Sequence, residues 1–181
     1  MPARIILISG SPGTGKTTLA RLMAQSSSCE KTAHVPVDDF WQYIAKGYIN
    51  PWEDSNGSQN ETVAKAVAAC AEQYALGGYE VCADGTIGPW FLGPWQALAQ
   101  SGLDVRYIVL RPGREETIRR ALERRQRPEF LLNADIVGQV WDSLADLGVY
   151  ERHAIDTTDQ AAEESLAAIE ALLAQGAFRI G

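Results

Sequence analysis

Residues 4–18 read RIILISGSPGTGKTT, and this stretch decides the fold. Its first six residues are β-branched and aliphatic apart from their ends, which is typical of a central parallel strand buried on both faces. Residues 10–17 fit the pattern GxxxxGK[ST] at every defined position. The stretch therefore predicts a strand, a Gly-rich turn and a helix over 17–25.

This turn has the chemistry of a phosphate cradle. Its glycines let successive backbone N–H groups point at one anion, and the helix start adds unpaired N–H groups and a positive dipole end. Lys16 is expected to reach the β- and γ-phosphates, and the Thr17 hydroxyl to ligate Mg²⁺. A turn that binds nothing is the alternative, which the complete motif disfavours. We predict an ATP site formed by Gly10, Ser11, Pro12, Gly13, Thr14, Gly15, Lys16, Thr17 and Thr18.

The remaining chain alternates short apolar runs with helical patterns, which predicts an α/β domain with a parallel sheet covered on both faces. Further strands are expected at 34–37, 79–83, 105–110 and 154–156. Helices are expected at 60–76, 94–99, 115–125 and 161–174, with a short helix at 40–47 and another that carries Ile136, Val140, Leu144 and Leu147. We predict one domain over residues 1–181.

The composition of the chain excludes several classes of protein. The chain has 181 residues, 46% of them hydrophobic, and a net charge of −7, which opposes general affinity for nucleic acid. We see neither an apolar run of the roughly 20 residues that a membrane span needs nor a signal peptide, and the three cysteines lack metal-ligand spacing. We expect a cytoplasmic monomer or homodimer that binds neither membrane nor nucleic acid.

Carboxylates follow two of the predicted strands. Asp38 and Asp39 end the second strand, and Asp84 ends the third, at the edge where ligands bind to open parallel sheets. Asp38 is the candidate base toward an acceptor hydroxyl, with Asp39 beside it at the acceptor site. Asp84 is a candidate for holding Mg²⁺ or touching the acceptor. The alternatives are that Asp38 or Asp39 caps a helix near Phe40 and that Asp84 only forms a turn.

An arginine cluster lies between Arg111 and Arg127, where seven of the sixteen basic residues are found, all of them arginine. The forked guanidinium group suits recognition of phosphate oxygens. The alternative is ion pairing along a solvated helix, for example between Glu116 and Arg120.

With these motifs in order, the chain resembles the small P-loop kinases, a group that includes shikimate kinase, gluconate kinase and chloramphenicol phosphotransferase. The run Val37-Asp38-Asp39-Phe40 is most similar to the chloramphenicol phosphotransferase-like branch, in which the first Asp acts as the base. The resemblance implies a three-layer P-loop fold, a five-stranded sheet in the order 2-3-1-4-5, and a helical lid over ATP at about 114–132.

The same resemblance implies that Arg120 and Arg124 contact ATP, one at the adenine and one at the phosphates, where Arg124 would act in catalysis. Arg119, Arg125 and Arg127 are alternatives in a shifted register. The turn at 156–158 resembles a loop that approaches adenine, and a helix N-cap is the alternative reading.

The acceptor side is poor in cations. Residues 34–100 contain two basic residues, Lys46 and Lys65, against eight acidic ones. Anionic acceptors would be expected to meet arginines here, so a neutral or cationic acceptor is favoured. Several aromatic side chains could line its pocket: Trp41, Tyr43, Tyr48, Trp52, Trp90, Phe91 and Trp95. We expect an ATP- and Mg²⁺-dependent kinase of a small hydroxyl compound, the alternatives being a nucleotide or nucleic-acid kinase and a regulatory or toxin-like ATP-binding module.

Overall fold

The computed structural model describes residues 4–51, 53–54, 57–123 and 133–181. Five parallel strands form one sheet in the order β2-β3-β1-β4-β5, which confirms the predicted topology. The strands are β1 (Arg4–Ser9), β2 (Thr32–Pro36), β3 (Glu80–Gly85), β4 (Asp104–Leu110) and β5 (Ala154–Ile155).

Helices cover both faces of the sheet. They are α1 (Lys16–Ser26), α2 (Ser58–Leu76), α3 (Gly93–Gln100), α4 (Arg114–Glu123), α5 (Ala134–Ser143) and α6 (Ala162–Ala174). Short 3₁₀ segments lie at Val37–Tyr43, Pro89–Phe91 and Gly148–His153. The helix expected at 40–47 is thus a 3₁₀ segment that starts earlier, and Leu144 and Leu147 are buried beyond the end of α5 rather than on its face.

The packing of β1 explains why its sequence is continuously apolar. Ile5 and Leu7 pack into the core formed with α2 and α3, whereas Ile6 and Ile8 pack into the core formed with α1 and α6. All four side chains are completely buried. Because successive side chains of a strand point to opposite faces, a strand with helices on both sides needs apolar residues at every position. This rigid central strand carries the Gly-rich turn.

The end of the chain completes the sheet. Tyr107 N–H donates to Phe178 O at 2.9 Å, and Ile180 N–H donates to Val105 O at 3.2 Å, so the last residues run antiparallel beside β4. β5 pairs only with Val109 and Leu110, at the carboxyl end of β4. The terminal segment therefore covers the part of the β4 edge that β5 leaves open, where unpaired backbone groups would invite other strands.

A fully buried histidine, His153, lies under this edge. One ring nitrogen, Nδ1, is 2.7 Å from Tyr107 O, and the other, Nε2, is buried without a hydrogen-bond partner in the part of the chain that the structure describes. The rings of Tyr107, Tyr150 and Phe178 surround it. Burial lowers the pKa of His153 below 6.5, and nearby Arg152 acts in the same direction, while the bond to Tyr107 opposes the shift. The ring is therefore neutral, with the proton on Nδ1.

This histidine should make the fold sensitive to mild acid. Below its unfolded pKa of about 6.5, the unfolded chain binds a proton that the folded chain excludes, so stability falls as pH drops from there toward the lowered folded pKa. We expect this loss to approach 1.4 kcal/mol per pH unit at most. His153→Asn keeps a donor toward Tyr107 O but does not titrate. Urea unfolding at pH 7, 6 and 5 should give a flatter profile for this variant, and equal slopes would contradict the assignment.

Candidate functional site

The Gly-rich turn joins β1 to α1 at the carboxyl edge of the sheet. Gly15 precedes the first helical residue, Lys16, with a φ of 89°, a left-handed conformation that favours glycine. The first helical hydrogen bond runs from Leu19 N–H to Gly15 O, so the N–H groups of Lys16, Thr17 and Thr18 precede the helical ladder. Three donors and the positive end of the helix dipole thus meet at one point, which is the geometry of an anion site.

The Gly-rich turn is held by a side-chain hydrogen bond within itself and by another to α5. Thr14 Oγ1 donates to Ser11 O at 2.9 Å, and Ser11 Oγ donates to Val137 O in α5 at 3.2 Å. Both side chains are buried, so their contribution to a bound anion would come from backbone N–H groups. Pro12 lacks an N–H group and contributes only shape.

Gly13 anchors the turn to α4. Its φ is 92°, and a Cβ atom at this position would lie 2.5 Å from Thr117 O and 2.9 Å from Ala121 Cβ. Only glycine permits this approach. The turn is therefore in direct contact with both α4 and α5, the helices on either side of residues 124–132.

Two opposite charges, those of Lys16 and Asp38, lie within electrostatic reach of each other. Lys16 is 94% buried, since its exposure is 6%. The pKa of Asp38 is raised above 3.8, mainly by burial. The charge of Lys16 and a hydrogen bond from the Thr86 backbone N–H lower this pKa, whereas the neighbouring Asp84 and Asp39 raise it further. Asp38 is nonetheless open to solvent. The Asp38 carboxylate is thus accessible from solvent and within electrostatic reach of Lys16.

The turn after β3 positions Asp38 relative to the phosphate cradle. A Cβ atom on Gly85 would lie 2.7 Å from Val37 Cβ and 3.2 Å from Asp38 Oδ1, so glycine lets the two segments meet. Thr86 Oγ1 donates to Gly10 O at 3.2 Å, which ties the turn to the phosphate cradle. The Asp38 carboxyl group is thereby held next to Gly85, at the same edge of the sheet as the cradle.

The alternative in which Asp38 or Asp39 caps a helix near Phe40 is wrong. The 3₁₀ segment begins at Val37 after Pro36, and no side chain caps it. Asp39 lies within the segment and accepts a hydrogen bond from Gln42 Nε2 at 3.1 Å.

Asp84 is 97% buried, since its exposure is 3%, and both of its oxygens are engaged. Thr17 Oγ1 donates to Asp84 Oδ2 at 2.5 Å, and His34 Nε2 lies 2.6 Å from Asp84 Oδ1. The structure brings together the two residues predicted for Mg²⁺. It adds His34, which the sequence analysis did not select.

His34 could have been found from the strand register. Pro36 of β2 lies opposite Asp84 of β3, and His34 is two residues before Pro36, on the same face. Such diagonal neighbours are about 7–8 Å apart, within reach of a long side chain.

The described arginines of the cluster form ion pairs with carboxylates, and Arg120 also contacts the loop between β5 and α6. Arg120 is 2.6 Å from Glu116 Oε1, the ion pair that the sequence allowed, and its Nη2 also donates to Thr158 O at 2.6 Å. Arg119 pairs with Glu116 and Glu123, and these contacts with Arg119 and Arg120 lower the pKa of Glu116 to about 2. Arg114 pairs with Asp142 and Arg111 with Glu151.

Arg124, Arg125 and Arg127 lie outside the described residues, as does the part of the predicted lid (114–132) that follows α4, residues 124–132. The turn at 156–158 is not the N-cap of α6, because α6 begins after Ala161, and Asp156 instead accepts a hydrogen bond from Thr158 N–H at 2.9 Å.

The aromatic side chains of the acceptor half separate into core and surface groups. Trp95 is buried in the core, and Trp41 Nε1 donates to Asn60 Oδ1 at 3.1 Å. Tyr43, Tyr48 and Trp90 are exposed. The indole of Trp90 covers Gly88, where a Cβ atom would lie 2.3 Å from the ring. Trp52 lies outside the described residues.

The helices of the described chain include none that is both apolar and long enough to cross a bilayer. Nor do the described His, Cys, Asp and Glu residues form any group of three or more able to hold a metal ion.

Comparison with known proteins agrees with this architecture. The family described as chloramphenicol phosphotransferase-like protein matches residues 3–174. No curated protein is significantly similar to the chain in sequence. A sugar kinase from Janibacter sp. HTCC2649 superposes with a TM-score of 0.68 at 16% identity, covering 96% of this chain and 95% of that one.

Two further structures widen the comparison. The Mycobacterium tuberculosis APS kinase CysC, in complex with AMPPNP and APS, gives a TM-score of 0.66 at 12% identity over 96% of this chain and 98% of that one. A chain of the Pnkp1/Rnl/Hen1 RNA repair complex gives 0.61 at 19% identity over 78% of this chain. This chain spans only 44% of the length of that RNA-repair chain. At these identities the likeness shows a shared P-loop kinase fold.

Proposed function

Because the chain belongs to the chloramphenicol phosphotransferase-like family, we propose that it is an ATP-dependent kinase that transfers the γ-phosphate to a hydroxyl group of a neutral or cationic small molecule. The observation that carries this proposal is the carboxylate of Asp38, which is open to solvent beside Gly85 and within electrostatic reach of the buried Lys16. A base and a phosphate-binding cation at one edge of the sheet are the parts that such a transfer needs.

Each residue has a distinct role in this reaction. The backbone N–H groups of the cradle and the Lys16 ammonium bind the β- and γ-phosphates and stabilise the charge on the transferring group. Asp38 accepts the proton of the acceptor hydroxyl as the new O–P bond forms and the bond to the leaving ADP breaks. Arg120 would contact ATP near the loop at 156–158, which it already touches, and Arg124 retains its predicted role at the phosphates.

The oxygen donors of Thr17 and Asp84 fit Mg²⁺, a hard cation that prefers oxygen ligands. Mg²⁺ commonly keeps several waters and takes substrate phosphates as ligands, so a dedicated cage of protein side chains is not required. When bound with ATP, the ion would neutralise charge on the phosphates. Thr17 would be the direct ligand, and Asp84 would act through the Thr17 hydroxyl or a water.

Charge and shape define the acceptor class. The lack of arginines over residues 34–100 favours an acceptor without phosphate or carboxylate groups. Gly85 lies beside Asp38, and Gly88 lies under the exposed indole of Trp90. Three residues of chain span at most about 10 Å, so a hydroxyl at Asp38 and a ring at Trp90 can belong to one molecule of one or two rings.

The test is ADP release from Mg·ATP, screened against neutral, cationic and anionic hydroxyl compounds, with Lys16→Ala as the blank. We expect stimulation by a neutral or cationic class. The fold is shared with a chain of an RNA repair complex, so a 5′-hydroxyl oligonucleotide belongs in the screen. Stimulation by the oligonucleotide or by anions alone would overturn the proposed acceptor class. ATP binding without stimulation by any compound would favour a regulatory module.

A further inference from the structure

The contact between His34 and Asp84 has no part in the reaction described above. Asp84 is almost fully buried, and each of its two oxygens has its own partner, Thr17 Oγ1 at 2.5 Å and His34 Nε2 at 2.6 Å. Most of the His34 side chain is itself buried, with 18% exposed. The three side chains therefore form one continuous line from β2 through β3 to the first turn of α1.

The direction of these hydrogen bonds decides what Thr17 can do. The Thr17 hydroxyl has one proton, which it donates to Asp84, so both lone pairs of its oxygen are available to a cation at the phosphate cradle. If the Asp84 carboxyl group turned away, the hydroxyl would lose this acceptor and its proton could point at the cation instead. The orientation of Thr17 thus depends on the orientation of Asp84.

His34 fixes that orientation. Because a carboxylate oxygen only accepts, the Nε2–H group of His34 donates to Asp84 Oδ1, which leaves Oδ2 directed at Thr17. With both oxygens engaged, Asp84 is not free to act as the base, and that role falls to Asp38.

We propose that His34 is a positioning residue that holds Asp84 against Thr17 and thereby sets the affinity for metal-bound nucleotide. This inference rests on the nucleotide site of the proposed function and is independent of the acceptor. Residues that orient metal ligands typically contribute 10–100-fold to metal affinity.

The experiment measures nucleotide binding alone. Calorimetric titration with a non-hydrolysable ATP analogue, with Mg²⁺ and then with EDTA, gives the preference of each variant for the metal-bound form. We expect His34→Ala to reduce this preference by roughly 10–100-fold while metal-free affinity stays constant. His34→Gln, whose amide can donate to Asp84, should restore much of it.

Thr32→Ala is the matched control, since Thr32 lies on the same strand and the same face as His34, two residues earlier and away from the site. An unchanged Mg²⁺ preference in His34→Ala, or equal losses in the Ala and Gln variants, would overturn the proposal. If His34→Ala fails to fold, the comparison is made between two other variants. Asp84→Asn should lose the preference for Mg²⁺-bound nucleotide, whereas His34→Gln should keep it, and any other result counts against the proposal. Absence of nucleotide binding by the native protein would instead refute the nucleotide site, and this inference with it.

Discussion

Replacement of Lys16 by Ala should abolish measurable phosphoryl transfer, with kcat falling by about 10³–10⁵-fold, the contribution of an arginine that acts on a transferring phosphoryl group. The ammonium is buried at the start of α1, where it adds to the N–H groups and the helix dipole. Its attraction for the phosphates grows as charge shifts toward the leaving oxygen, so its loss affects the transition state more than ATP binding.

A second effect of the same substitution acts through Asp38. Lys16 lowers the pKa of Asp38, so its removal leaves burial and the neighbouring carboxylates to raise that pKa further. The candidate base is then harder to ionise. The variant therefore loses the cation that binds the phosphates, and a smaller fraction of its Asp38 is ionised and able to act as the base.

The measurement is ADP release with the best acceptor of the screen, alongside thermal unfolding. Burying a charge costs stability, so Lys16→Ala is expected to keep the native melting temperature or exceed it. Arg21→Ala is the matched control, because Arg21 is an exposed cation on the same helix and should affect neither rate nor stability. Transfer by Lys16→Ala at a rate near that of the native protein would refute the mechanism.

Local patterns in the sequence account for the centre of the fold. The apolar run of β1 and the GxxxxGK[ST] motif are local signals, and the structure has both where they were predicted. The strand order came from the family resemblance and is confirmed. The chain segment that runs beside β4 was not predicted, because its pairing depends on β5 being too short to cover that edge.

The parts of the site that were missed depend on contacts between distant segments. His34 becomes significant only when β2 and β3 are aligned in register. The 3₁₀ segment at Val37–Tyr43 begins where Val37 and Asp38 pack closely against Gly85 of β3, a contact that no local pattern shows. Arg120 lies on the expected helix, but its contact with Thr158 joins residues 38 positions apart.

The second large effect is expected at Asp38. Asp38→Asn preserves the shape of the side chain and removes the base, and we expect kcat to fall by roughly 10²–10⁴-fold, the usual contribution of a positioned general base. Nucleotide binding should persist, because Asp38 lies outside the phosphate cradle. Binding of the ATP analogue by calorimetry and turnover by ADP release separate the two properties.

The pH dependence gives a sharper test of the same residue. A base must be ionised to act, so activity should fall as pH drops through the pKa of Asp38, which burial raises above the ordinary 3.8. The acidic limb of kcat/KM therefore lies at a higher pH than for an unperturbed Asp. This limb should disappear from the residual activity of Asp38→Asn, and its persistence there would assign it to another group.

Stability should change in the opposite direction to activity. For a carboxyl group with a raised folded pKa, stability is fully present below the unfolded pKa and is lost as pH rises through the folded pKa. At pH 7 the ionised Asp38 thus destabilises the fold, and Asp38→Asn should melt at the same temperature as the native protein or higher. Glu61→Gln is the matched control, since Glu61 is an exposed carboxylate on α2 that pairs with Lys65. A stable, nucleotide-binding Asp38→Asn that retains near-native turnover would show that Asp38 is not the base.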